Sequence, residues 1–151
     1  MVKLKDMVSL RGVFKMNVYK GEGSEKKLIE TFEDNNLIVN LARTTMARLI
    51  AGDVANRSMK SISFGTNGNV PTVEDTEITN PYTKNLGGIT YPAMGQVCFA
   101  WSLTPSEANG LAIMEFGLLT TDGNLFCRRT RTTPINKQSD ISLEGIWTII
   151  F

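Results

Sequence analysis

The fold class is decided by residues 113–131, which read IMEFGLLTTDGNLFCRRTR. The pair Asp122-Gly123 is a strong hairpin-turn signal, because both residue types tolerate a positive φ. Strand-like runs flank this pair at 113–120 and 125–131. The stretch therefore predicts a β-hairpin within an antiparallel sheet.

The same strand signal recurs on both sides of this hairpin. Side chains alternate with a period of two over 14–19, 97–103 and 141–151, which places the larger apolar groups on one face of each strand. A flexible segment at 21–26 joins the first strand to a partner at 28–32. Some seven or eight strands separated by turns predict a mainly β fold, an antiparallel, jelly-roll-like β-sandwich.

One segment has a helical period instead. Apolar residues lie three and four positions apart between Val39 and Ile50, Asn40 can cap the start, and Gly52 supplies a left-handed residue at the end. We predict one short inserted helix at about residues 40–51, lying against a sheet edge or the end of the sandwich. Residues 1–151 are expected to form a single domain, with 1–7 as a candidate N-terminal arm.

Composition limits the functions that the chain can carry. Of its 151 residues, 42% are hydrophobic and 21% charged, and the formal net charge is +1, which is not the balance of a dedicated nucleic-acid binder. The chain contains no histidine, the commonest general base and a common zinc ligand. We therefore predict a protein that is not an enzyme, with no catalytic residue, cofactor or metal.

Two further features bear on the cellular compartment. No apolar run is long enough to cross a membrane, and the first residues lack the apolar stretch of a signal peptide. Cys98 and Cys127 could form a disulfide in principle, but so low a cysteine count favours buried free thiols. These features predict no membrane partner and assembly in a reducing cytoplasm.

The dense basic patch of Arg128, Arg129 and Arg131 is the first candidate partner-binding site. On a strand, Arg129 and Arg131 share one face and Arg128 points to the other. The arginines could dock on carboxylates of a partner chain, or they could form a solvated strand face that prevents aggregation, which the pattern favours. No aromatic residues are interleaved with them, so nucleic acid is not a predicted partner.

Three other places are candidate partner contacts. Glu115 lies between Met114 and Phe116 and could face either an interface or the wet side of the sheet. The long irregular stretch 67–91 carries Tyr82 and Tyr91, and long loops in compact domains are often functional surfaces. The candidate arm carries Lys3 and Lys5.

A set of short segments runs in order along nearly the whole chain: FEDNNLIV at 32–39, ISFGT at 62–66, PTVEDT at 71–76, AIMEFGLL at 112–119, TDGNLFCRR at 121–129, INK at 135–137 and LEGIWTIIF at 143–151. Together these segments resemble small structural proteins of tailed bacteriophages. No single motif among them is diagnostic.

The resemblance implies a virion component assembled in the cytoplasm of a host bacterium, and two roles compete. One is a head decoration or cement protein, which binds the outer shell and clamps neighbouring capsomers. The other is a tail, baseplate or fibre-attachment adaptor, because similar segments occur near the N-termini of phage tail fibres. The chain lacks a long stalk or receptor-binding tip, which favours decoration. The expected partners are the major capsid protein or tail proteins, together with further copies of the chain in a homo-oligomer.

Overall fold

The computed structural model describes residues 10–151, and these form one nine-stranded antiparallel sheet with a single α-helix. The strands and the helix are β1 (Arg11–Lys20), β2 (Lys27–Ile38), α1 (Asn40–Ile50), β3 (Met59–Gly65), β4 (Tyr82–Asn85), β5 (Ile89–Thr90), β6 (Gln96–Leu103), β7 (Ala112–Thr120), β8 (Leu125–Asn136) and β9 (Ile141–Ile150). The predicted mainly β, antiparallel class with one inserted helix is confirmed.

The strands follow the order β4-β3-β7-β8-β2-β1-β9-β6-β5, and the sheet curls into a half-barrel. The finer prediction of a sandwich with jelly-roll connections is not confirmed by this arrangement. The predicted hairpin is present as β7 and β8, with Gly123 at φ +84 in the turn. The first two strands also form the predicted hairpin, although β2 continues six residues beyond the predicted end at Phe32.

Aromatic side chains fill the concave side of the sheet. Phe14 of β1 lies 4.7 Å from Phe116 of β7 and 5.4 Å from Trp101 of β6, measured between ring centroids. Phe64 of β3 meets Trp101 at 5.6 Å. Strands that are far apart in the sheet order therefore pack against each other across the core, and this packing holds the curl.

The helix begins and ends close to the predicted positions. Val39 is the N-cap residue, so Asn40 does not cap the helix; its side chain donates a hydrogen bond to Glu74 instead. Gly52 follows the helix with φ +85, as predicted. The helix contacts β8, and its buried residues are Ala42 and Thr45.

The segment 82–90 was expected to be irregular but contains two strands. β4 pairs with β3 at one end of the sheet, and β5 pairs with β6 at the other. Between them, Leu86 N donates to Lys60 O at 2.9 Å and Gly87 N donates to Ala100 O at 2.7 Å. This segment therefore links the two ends of the curled sheet. The sequence does not predict these two short strands, because Gly87 and Gly88 lie between them and glycine weakens a strand.

Backbone pairing between β2 and β8 is short, although each of these strands has 12 residues. Only Leu37 and Ile38 pair with β8, at Arg128 and Cys127, whereas β2 pairs with β1 along most of its length. We call this region the β2–β8 seam.

Cys98 and Cys127 are both buried free thiols, in agreement with the prediction.

Candidate interaction surface

Arg128 lies inside the protein and is held by partners on three sides. Its side chain is 3% exposed. Its Nε donates to Glu115 at 2.7 Å, one terminal nitrogen donates to Asp75 at 2.8 Å, and the other donates to the carbonyl of Asn67 at 2.9 Å. A guanidinium offers donors in several directions, and here each direction ends on an oxygen of the chain itself.

Glu115 is the second buried member of this cluster. The residue is 0% exposed, and the oxygen that does not meet Arg128 accepts backbone hydrogens from Asn67 at 3.1 Å and Thr79 at 2.7 Å. A buried carboxylate is tolerated only when it is paired and hydrogen-bonded, and Glu115 meets both conditions. Glu115 therefore faces neither an interface nor water.

Asp75 completes the cluster from the loop. It accepts hydrogen bonds from the backbone and hydroxyl of Thr72, each at 3.0 Å, as well as from Arg128. Burial works against the charged form of Asp75, but these hydrogen bonds outweigh it and hold the pKa of Asp75 below its usual value. We call Arg128, Glu115 and Asp75 the buried triad.

The buried triad fixes the long loop 66–79 against the β7–β8 hairpin. Two further backbone bonds hold the loop: Thr66 N donates to Thr79 O, which joins its two ends, and Asn40 N donates to Val73 O in its middle. The apolar side chain of Val70 is nonetheless 83% exposed at the tip. An irregular loop that is held this firmly presents its tip in one conformation, which lowers the entropic cost of binding a partner.

Arg129 and Arg131 bridge the β2–β8 seam. Arg129 forms an ion pair with Asp34 at 2.9 Å, and Arg131 forms a bidentate pair with Glu30 at 2.7 and 2.9 Å. Both guanidinium groups also lie over the ring of Phe32, at 5.1 and 5.8 Å from its centroid. Side-chain contacts thus replace the missing backbone ladder.

The arginine patch therefore has the predicted alternation but internal partners. Arg128 points into the protein, while Arg129 and Arg131 share the opposite face. The favoured interpretation of a solvated strand face is wrong for Arg128, which is buried. Docking on carboxylates of a partner chain stays a prediction, because the carboxylates that the three arginines meet belong to the same chain. Arg129 and Arg131 find these partners because β2 runs next to β8 in the sheet, and the spacing of residues in the sequence does not predict that neighbour.

Tyr82 also makes an internal contact. Its hydroxyl donates to Glu107 at 3.3 Å, and Lys84 meets the other oxygen of Glu107 at 2.7 Å. Burial alone would raise the pKa of Glu107, but hydrogen bonds from Lys84 and Thr104 lower it to about 2. Glu107 thus ties β4 to the loop that follows β6.

Tyr91 is different, because its side chain is 79% exposed. It follows β5, and of the tyrosine and arginine candidates it alone remains a freely accessible side chain. Lys3, Lys5 and the candidate arm at 1–7 lie outside the described residues.

Lys137 has a structural role that no pattern in the sequence predicts. This lysine is fully buried, and its Nζ donates to Pro105 O at 3.2 Å, Asn109 Oδ1 at 2.9 Å and Gln138 O at 3.0 Å. It holds the loop 104–110, and burial lowers its pKa. A lone lysine after a strand carries no signal for such a role, since lysines are mostly exposed.

A groove of about 800 Å³ crosses β2, β1, β9 and β6. Its charged side chains pair with one another or with close neighbours: Lys15 with Glu33 at 3.6 Å, and Glu144 with the Tyr19 hydroxyl at 2.8 Å. Within residues 10–151, no three acidic or cysteine side chains are placed to hold a metal ion. In the same part of the chain, no helix has the length and apolar character needed to span a membrane.

A scan of protein families, a search of curated proteins and a search of solved structures each found no match.

Proposed function

We propose that the chain is a non-enzymatic structural protein of a tailed-phage virion, and that it acts as a capsid decoration or cement protein. In this proposal it binds the outer shell and stabilises contacts between capsomers, with the major capsid protein as its partner. The assignment is motivated by the short segments between residues 32 and 151 that resemble phage structural proteins and follow one another in the same order along the chain.

One observation carries the proposal furthest: the buried triad holds the loop 66–79 and leaves Val70 exposed at its tip. A buried ion pair is an expensive way to fix a loop, because both charges lose their hydration. A loop held at that cost and ending in an apolar tip suits docking on another protein. We therefore assign the shell contact to this loop.

The mechanism is mechanical rather than chemical. A decoration protein is present in many copies on a symmetric shell, so modest contacts at each copy add up to strong reinforcement. The rigid sheet supplies the body, and the fixed loop supplies the contact. No step of this mechanism calls for a catalytic group.

The experiment compares two exposed valines in virions made with variant protein. Val70→Asp places a charge at the loop tip and should reduce incorporation at least about tenfold, equivalent to ~1.4 kcal/mol. Val54→Asp is the matched control, because Val54 is also exposed but lies in the turn after α1. Equal incorporation of the two variants, with equal thermal stability, would contradict the assignment of the shell contact to this loop.

The alternative proposal is a tail, baseplate or fibre-attachment adaptor, with tail proteins as partners. It rests on the same segments, which also resemble the N-terminal parts of tail fibres. Copy number separates the two roles, since a decoration protein is abundant on the shell and an adaptor is present in few copies.

We also propose that the half-barrel is related to jelly-roll-like sandwiches. The contact between Phe14 and Phe116 brings distant strands face to face, which is the packing of a sandwich core. An experimental structure with the same strand order but two separate, face-to-face sheets would support this relationship; a continuous barrel would refute it.

A further inference from the structure

Lys137 has surroundings that are unusual for a buried lysine. Among the described residues it is the one lysine whose side chain is fully buried. Within the same residues its Nζ has three hydrogen-bond acceptors, and none of them is a carboxylate. Lysines are almost never fully buried unless an opposite charge pairs with them. These surroundings therefore indicate a role for Lys137 other than an ion pair.

The three acceptors differ in their chemistry. Two are the backbone carbonyls of Pro105 and Gln138, and the third is the side-chain amide of Asn109, whose Oδ1 lies 2.9 Å from Nζ. Since a C=O bond is about 1.2 Å long, the amide carbon Cγ of Asn109 lies within about 4 Å of Nζ. An amine that attacked either backbone carbonyl would cut the chain. Only the Asn109 amide carries an NH2 group that can leave without breaking the backbone.

The backbone holds Asn109 against Lys137. Gly110 N donates to Lys137 O at 2.9 Å, and Lys137 N donates to Leu111 O at 3.0 Å. Ala108, just before Asn109, has φ +55, which is unfavourable for a residue with a Cβ. Ala108 and Leu111 both pack against the hydrophobic core. A strained residue persists only where its surroundings enforce it, and such residues concentrate at functional sites.

These contacts also bear on the reaction that asparagine ordinarily undergoes before glycine. In an Asn-Gly pair, the backbone nitrogen of the glycine attacks the asparagine amide and forms a succinimide. Here the N–H of Gly110 is hydrogen-bonded to Lys137 O. The side-chain amine of Lys137 is the second nitrogen held next to the same amide.

We propose that Lys137 and Asn109 form an intramolecular amide bond between Nζ and Cγ. The lone pair of the neutral amine forms the new C–N bond, the original Cγ–Nδ2 bond breaks, and a proton from Nζ passes to the leaving NH2 group, which departs as ammonia. Atoms and charges balance without an added reagent. The bond joins the loop 104–110 covalently to the end of β8, and this inference does not depend on the proposed virion role.

The surroundings of Lys137 favour this reaction. Burial lowers its pKa, which increases the share of the neutral amine, the nucleophilic form. Glu107 lies in the same loop and its charge acts on Lys137, so a carboxylate is present to relay the proton. Two reacting groups that are held in contact react far faster than the same groups free in solution.

The first test is the intact mass of the purified full chain. The wild type should be lighter than the mass calculated from its sequence by about 17 Da, one molecule of ammonia. After trypsin digestion, tandem mass spectrometry should find residues 85–128 joined to residues 132–151, because trypsin does not cut after a lysine in amide linkage. A wild type of full calculated mass would overturn the proposal.

Three variants separate this bond from a succinimide, which also loses ammonia. Lys137→Met removes the amine, and Asn109→Ala removes the amide from an exposed residue, so each variant should have its full calculated mass. The control is Asn85→Ala, which removes an exposed asparagine from β4 and should keep the loss of about 17 Da. A loss that persists in Lys137→Met or in Asn109→Ala would overturn the proposal, because it would place the lost ammonia elsewhere.

Discussion

Replacing Arg128 by methionine removes a buried cation from beneath the loop 66–79 and leaves Glu115 buried without it. Glu115 keeps two backbone hydrogen bonds, from Asn67 and Thr79, but loses its 2.7 Å contact with Arg128. Breaking a buried pair by removing one partner costs about 3–5 kcal/mol. That is a large fraction of the ~5–15 kcal/mol that stabilises a typical domain.

The assay is denaturant unfolding of the variant and the wild type, supported by thermal melting. For a chain of this size, each 1 kcal/mol lowers Tm by about 2–4 °C, so Arg128→Met should lower it by about 6–20 °C. Arg43→Met is the control, because Arg43 lies exposed on α1, and it should change the free energy of unfolding by no more than about 0.5 kcal/mol.

A double variant tests whether the cost arises from the uncompensated carboxylate. Glu115→Gln removes the charge but keeps an oxygen that can accept from the two backbone N–H groups. Adding it to Arg128→Met should therefore cost less than the sum of the two single changes. The reasoning is refuted if Arg128→Met unfolds within about 1 kcal/mol of the wild type, or if the two changes are additive.

Three further predictions concern other parts of the molecule. Lys84→Met should raise the pKa of Glu107 from about 2 toward the ordinary value of 4.5, which ¹³C NMR titration of the carboxyl would detect; an unchanged pKa would exclude Lys84 as its cause. Because the pKa of Glu107 is lowered in the folded state, its contribution to the free energy of unfolding is present above pH 4.5 and is lost as the pH falls toward 2. In Lys84→Met the free energy of unfolding should therefore fall less steeply over this pH range. Gly145→Ala should destabilise the fold by ~1–3 kcal/mol or more, since a Cβ there would overlap Lys15 O and the Trp101 ring; Gly88→Ala, where nothing lies within 4 Å, is the control, and equal denaturation midpoints would count against this packing. Arg131→Gln should speed hydrogen exchange of the Val39 amide, which donates to Phe126 O across the β2–β8 seam, relative to amides of β7; unchanged exchange would mean that the ion pair with Glu30 does not hold the seam.

Much of the fold follows from short-range patterns. The β7–β8 hairpin is predictable because the adjacent residues Asp122 and Gly123 are by themselves typical of a hairpin turn. The helix is predictable because its apolar period and the glycine that follows it, Gly52, both lie within one short segment. The strands β4 and β5 were missed because they are two to four residues long and are separated by Leu86, Gly87 and Gly88. Their pairing depends on partners that are distant in sequence.

The contacts of the three arginines also depend on residues that are distant in the sequence. Alternation along a strand places Arg128 on one face and Arg129 on the other, but it does not say which face is inside. That depends on the loop carrying Asp75 and on the return of β2 with Asp34, which lie 53 and 94 residues before Arg128 along the chain. Long-range ion pairs of this kind leave no periodic signal.

We propose that this chain is an abundant structural protein of a phage virion, and its copy number in purified virions is the sharpest test of that proposal. Quantitative mass spectrometry against the major capsid protein should give a ratio comparable to that of the capsid protein itself. A ratio matching the tail-fibre proteins would contradict the decoration role in favour of the adaptor. Absence of the chain from virions would contradict both.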